Sequence, residues 1–207
     1  MRHLIVMNIQ LLRLMMINQR AFGLSLNNKT MDYQQWRCSI EEEVSWRQNN
    51  QLKDRWNING QIVFDSNKHA INHCGYTLLE KALQLADLSQ QKVFKQTVYF
   101  QQPVGFCECV ETTDSDSVIY LQREGRRRVS RFVLGRNPEL CNSVHLILKR
   151  MGSGDLMLIT AWVGTESQPE PWDKKAGKEA VAFWKHHALV AVGADKSDDL
   201  GDSGYWD

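Results

Sequence analysis

Residues Ser143 to Gly164, SVHLILKRMGSGDLMLITAWVG, constrain the fold more than any other stretch, because two strand-like runs flank a glycine-bearing turn. A loop at Gly152-Ser153, or over Met151 to Gly154, gives one and the same strand register. Alternation in that register puts Val144, Leu146, Leu148, Met157, Ile159, Ala161 and Val163 on one wholly apolar face, which has to be buried. The opposite face carries Ser143 against Trp162, His145 against Thr160, Ile147 against Leu158 and Lys149 against Leu156. A histidine, a hydroxyl, an indole and an amine share that side, so chemistry is expected there.

The rest of the chain supplies what covers the apolar face. Asp32 to Asn50 reads as a helix, with Trp36, Ile40 and Val44 periodic and Glu41, Glu42 and Glu43 mostly on the solvated side. Gly60 to Asp65 is a short strand. Asp65 or Ser66 can then cap a helix holding Lys68, His69, Ala70 and His73, which Gly75 stops. Thr77 to Glu80 has the pattern of a capping box opening another helix. Strand signals run from Lys92 to Gly164, with Glu124-Gly125 as a hairpin turn, and Lys175 to Val192 reads as a last helix. The expectation is an α+β fold, an antiparallel sheet of about five to six strands with helices packed on one face, in a single domain over residues 32–192.

Residues 1–31 read as an N-terminal extension that folding does not require. Asn8, Gln10 and Arg13 interrupt its apolar run, no small-residue cleavage site follows, and the run is too short and polar to span a bilayer. An amphipathic helix with Leu4, Met7, Leu11, Leu14 and Met15 on one face fits it. Residues 193–207 read as an acidic, mobile tail.

Of the 207 residues 43% are hydrophobic and 24% charged, which excludes a disordered chain. A formal net charge of +1 points to no partner, yet Arg123, Arg126, Arg127, Arg128, Arg131 and Arg136 crowd the middle, and a local basic patch can bind phosphate. Five cysteines form no spaced framework, so a reducing, cytoplasmic setting without membrane contact is expected. Cys107-x-Cys109 lacks a second pair. His69 and His73, four apart with Cys74 adjacent, could supply two zinc ligands, but no third or fourth follows, and Lys68 beside them suits a phosphate better than a cation. Neither a metal nor a cofactor is therefore expected.

Metal-independent cleavage of RNA requires a group that takes the 2′-hydroxyl proton, one that protonates the leaving oxygen, and cations that stabilise the phosphorane. Histidine can do either proton job near neutral pH, and arginine supplies a fixed cation. His145 with Thr160, beside the arginine cluster, offers those residue types. The same residues also fit a cross-strand polar pair on a solvated face with a solvated hairpin tip.

The order helix, strand, two short helices and antiparallel strands, with FDSNKHAINHCG feeding TLLEKAL, resembles the colicin-, barnase- and RelE-like ribonuclease superfamily of bacterial toxin domains. The likeness covers roughly residues 65–190. It rests on the Lys-His-Ala segment opening a helix, which matches Lys68 and His69, and on a late-strand hydroxyl followed two positions later by an aromatic, which matches Thr160 and Trp162. A basic residue on the preceding hairpin would match Arg128 or Arg131. The barnase-type glutamate base has no counterpart. The resemblance implies a metal-independent endoribonuclease toxin domain that acts on RNA and has an antitoxin or immunity protein as partner. In that reading a histidine is the acid or base, Thr160 orients it, Arg128 or Arg131 stabilises charge, and Lys68, Trp162, Lys149 and Arg126 bind substrate. Register favours His145 for the proton transfer, whereas resemblance favours His69. The alternative is a non-catalytic RNA-binding or protein-interaction protein, such as an immunity or accessory factor, that uses the same sheet face.

Overall fold

Helix α1 (Tyr33–Asn49) starts where Asp32 caps it, the carboxylate accepting the Gln35 amide at 2.8 Å. The structure, a computed structural model, describes residues 32–50, 54–123 and 128–202. The N-terminal extension over residues 1–31 and the arginine at 126 lie outside the described residues. Strands β1 (Arg55–Ile58) and β2 (Gln61–Asp65) follow, then helices α2 (His69–Cys74) and α3 (Tyr76–Leu85). After them come β3 (Val93–Tyr99), β4 (Gly105–Cys107), β5 (Cys109–Glu111), β6 (Val118–Gln122), β7 (Val129–Val133), β8 (Glu139–Cys141), β9 (Ser143–Arg150) and β10 (Leu156–Val163). Helix α4 (Lys178–Lys185) and strand β11 (His187–Val190) end the regular elements, apart from a 3₁₀ turn at Lys196–Asp198. The class is α+β and the sheets are mostly antiparallel.

Where the sequence reads as one domain over 32–192, the chain clusters into two compact units. The first combines residues up to Phe106 with Leu140–Thr165, and the second combines Cys107–Glu139 with residues from Glu166 onward. The strand-rich stretch after Lys92 is thus divided between two sheets of five and four strands. A separate two-stranded ribbon pairs β4 with β8.

The first unit holds a sheet in the order β1-β2-β10-β9-β3, antiparallel except for the parallel pair β2 and β10. Its core joins Val144, Leu146, Leu148, Leu156, Leu158, Ala161 and Val163 of the central hairpin to Trp36 and Ile40 of α1, Ile71 of α2 and Leu79 and Leu83 of α3. The register differs from the expected one. Leu158 faces Leu148, but after a bulge Thr160 faces Ile147 and Trp162 faces His145. The extra residue switches the side-chain parity of β10. Leu156 and Leu158 point inward before the bulge and Ala161 and Val163 after it, while Met157 and Ile159, expected in the core, are only half buried. Strand β1 was not read from the sequence. It pairs with β2 across Asn59-Gly60, both at positive φ (51° and 80°), as a two-residue hairpin turn requires.

Glu43, expected in solvent, is buried. Its carboxylate accepts the Thr77 amide at 3.1 Å and also the Thr77 hydroxyl, with Arg47 Nε 3.8 Å away. It therefore satisfies an otherwise orphaned donor at the start of α3, in place of the capping box expected from Thr77 and Glu80. Gly75, at φ 72°, leaves room for this contact, since a Cβ there would stand 2.5 Å from Glu43 Oε2.

The second unit has the strand order β5-β11-β7-β6 around Val110, Val133, Ala188 and Val190. The last predicted helix is half strand: α4 ends at Lys185, and β11 runs antiparallel to β5 and parallel to β7. A short apolar run such as HALV suits either state, and pairing with two strands decides it. Of the acidic tail, expected to be mobile, Asp199 and Leu200 bond to β6. Asp199 accepts the Tyr120 amide at 2.8 Å, and the Leu200 amide donates to the Tyr120 carbonyl at 3.0 Å.

Replacing Glu43 with alanine leaves the Thr77 amide without its carboxylate partner in a partly buried setting. The Glu43→Ala protein is expected to lose about 1–3 kcal/mol of stability in urea melts, and an unchanged midpoint would show that the cap contributes nothing.

Candidate active site

Strand β2 stops pairing with β10 at Asp65, opposite Leu158, and the chain then turns into α2, which packs along the remainder of β10. That handover sets the site. The buried Asp65 carboxylate holds the turn, accepting the amides of Asn67 (3.3 Å) and Ile71 (3.0 Å), so the start of α2 is tied to the end of β2. Lys68 enters the helix in the left-handed conformation, φ 60°.

His69 and Thr160, 91 positions apart, meet in this arrangement, with imidazole Nδ1 and hydroxyl Oγ1 3.0 Å apart. The His73 ring lies beside that of His69, centroids 4.6 Å apart and planes tilted by 49°, as residues four apart on a helix can. Both histidines are exposed. Thr160 faces this edge because the bulge turns it away from the core. A hydroxyl on one ring nitrogen fixes the plane of His69 and directs Nε2 outward.

His145 stands differently. It is 1% exposed, its Nδ1 is 2.9 Å from Thr97 Oγ1 on β3, and its ring packs against Trp162 with centroids 4.6 Å apart and planes tilted by 36°. The expected pairing of His145 with Thr160 is therefore replaced by His145 with Trp162 and Thr97. Trp162 also donates its indole N–H to the Thr165 carbonyl at 2.9 Å. One face of the indole is thus covered by an imidazole. Lys149 is exposed two residues beyond Ile147, the partner of Thr160, toward the hairpin turn.

Behind α2, Lys68 Nζ lies 3.5 Å from Asp54, whose other carboxylate oxygen accepts the Tyr76 hydroxyl. Burial, and then the bond to Asp54, push the Tyr76 phenol well above the ordinary tyrosine range, so it stays protonated and donates. Burial likewise pushes the Cys74 thiol far up, which removes it as a nucleophile or thiolate ligand. Among the described residues no three His, Cys, Asp or Glu side chains converge as a metal site would require.

Arg128 and Arg131 belong to the second unit. Arg131 donates to Thr112 Oγ1 (3.0 Å) and to the carbonyls of Trp184 (3.1 Å) and His187 (2.7 Å), a set of bonds that ties β7 to the α4–β11 corner. Arg128 is exposed at the start of β7. In the sequence His73 reads as a structural histidine or half of an incomplete zinc pair, and Thr97 carries no signal there, its role following from the β3–β9 register. No protein-family model, curated protein or solved structure matches the chain.

Asp65→Ala should loosen the first turn of α2 at a cost of about 0.5–2 kcal/mol. Faster amide exchange at Ile71 is the expected reading, and unchanged protection there would show that Asp65 does not hold the turn.

Proposed function

We propose that the first unit is a metal-independent endoribonuclease-like domain that cleaves RNA phosphodiester bonds by general acid/base catalysis, with His69 transferring a proton and Thr160 orienting it. The contact of His69 with Thr160 at 3.0 Å carries this reading. It joins the two residues that the resemblance picks out separately, a helix-borne histidine after Lys68 and a hydroxyl two positions before Trp162. Lys68 precedes His69 in the chain and is 47% exposed at its side chain, so its ammonium would have to leave Asp54, 3.5 Å away, to meet a phosphate oxygen. Trp162 is half buried, with its indole N–H already bonded, which suits it to apolar contact with a base. Among the described residues no helix is long and apolar enough to cross a membrane, and all five cysteines are free thiols. A cytoplasmic toxin of bacterial origin acting on cellular RNA, restrained by an antitoxin, fits those features.

A protein-interaction role is the second reading, favoured by β3. This edge strand of the five-stranded sheet leaves Val93 and Tyr99 56% and 65% exposed, so a partner could add a strand there. RNA binding without cleavage is the form the reading takes if the sheet face is used without turnover.

Incubation of the full chain with end-labelled RNA in excess chelator tests the proposal. Cleavage is expected, reduced about 10²-fold or more in His69→Ala protein that melts normally. Equal cleavage by that variant removes His69 from the chemistry. A parent that neither cleaves nor binds RNA leaves the protein-interaction role as the better account.

A further inference from the structure

We propose that His73 is the second proton-transfer group of this site, acting with His69 on the same RNA phosphodiester; the inference rests on the ribonuclease reading above. Transesterification needs two proton transfers, and one imidazole in one protonation state performs only one of them. A neutral imidazole takes the proton of the 2′-hydroxyl as O2′ bonds to phosphorus. An imidazolium gives its proton to O5′ as the P–O5′ bond breaks. The products are a 2′,3′-cyclic phosphate and a 5′-hydroxyl, and the pair has gained one proton and lost one, with no other reactant consumed.

The surroundings of His69 leave His73 as the group for the second step. The Asp65 carboxylate is taken up by the amides of Asn67 and Ile71. Asp54 is engaged by Tyr76 and Lys68, and Cys74 is buried with its thiol held protonated. His145 is sealed beneath Trp162. His73, exposed on the next turn of α2, has its ring centroid 4.6 Å from that of His69. In an in-line displacement the entering and leaving oxygens stand a few ångströms apart across phosphorus. Two rings at this spacing can each reach one of them. Thr160 Oγ1 stands 3.0 Å from Nδ1 of His69, so the two imidazoles of the pair differ in their surroundings and can take different roles.

The test compares parent, His69→Ala, His73→Ala and His73→Gln full-length proteins in chelator, on RNA and on a nucleoside 3′-phosphodiester with a nitrophenol leaving group that departs without protonation. Loss of about 10²-fold on RNA is expected for each histidine variant. On the nitrophenyl substrate one position should recover most of its rate, marking the acid, while the other stays slow, marking the base. A packing role for His73 would not separate the two substrates. If the parent and the His73 variants cleave RNA equally while His69→Ala fails, His73 is not catalytic and the ribonuclease reading stands. Loss of parent cleavage on chelation would overturn the paired-imidazole mechanism in favour of a bound metal. A parent with no cleavage on either substrate removes this inference together with the reading beneath it.

Discussion

The alternation of β10 breaks once, between Leu158 and Thr160, and the first unit depends on that break. In an unbroken strand the parity of Leu156 and Leu158 would carry Thr160 and Trp162 into the core and turn Ala161 and Val163 outward. Burying an indole and a hydroxyl where an alanine and a valine now sit would overfill the core and leave polar groups to satisfy, at a cost of about 1–3 kcal/mol for each misplaced group. The bulge keeps Leu156, Leu158, Ala161 and Val163 against the helices and turns Thr160 toward α2. One inserted residue thus serves both the packing and the site.

Its counterpart is the end of β2. The parallel pairing of β2 with β10 places the start of α2 beside the second half of β10, and Asp65 pins that start by accepting two amides. Helix α2 has only six residues, too few to be stable alone, so its position derives from tertiary contacts: Ala70, Ile71 and Cys74 in the core on one side, His69 against Thr160 on the other. Histidines four apart then fall on the exposed side together. The site is a consequence of where the sheet changes hands, and the arginine-rich hairpin of the second unit has structural work of its own in Arg131.

Much of the fold was legible in the sequence because its signals are local. The α1 boundaries, the strand GQIVFD, the break at Gly75 and the hairpin around residue 152 each follow from neighbouring residues. The β1–β2 hairpin is equally local, with Asn59-Gly60 as its signal. The bulge was partly legible too, since the expected register placed Leu156 and Leu158 on the polar face, a cost that a parity change removes. What was hidden is non-local. No periodicity joins Glu43 to Thr77, Thr97 to His145, or His69 to Thr160, and the strand character of His187–Val190 arises from its two partners. Register alone chose the wrong partner for Thr160, because a shift of one residue moves every side chain to the other face.

The coupling of His69 to Thr160 is the claim on which the site rests, and a double-mutant cycle on RNA cleavage measures it. If Thr160 acts through His69, the Thr160→Val change should slow the parent yet slow the His69→Ala protein hardly at all, since residues that act as a unit are strongly non-additive. Losses that simply multiply, or full activity in the Thr160→Val protein, would contradict the account.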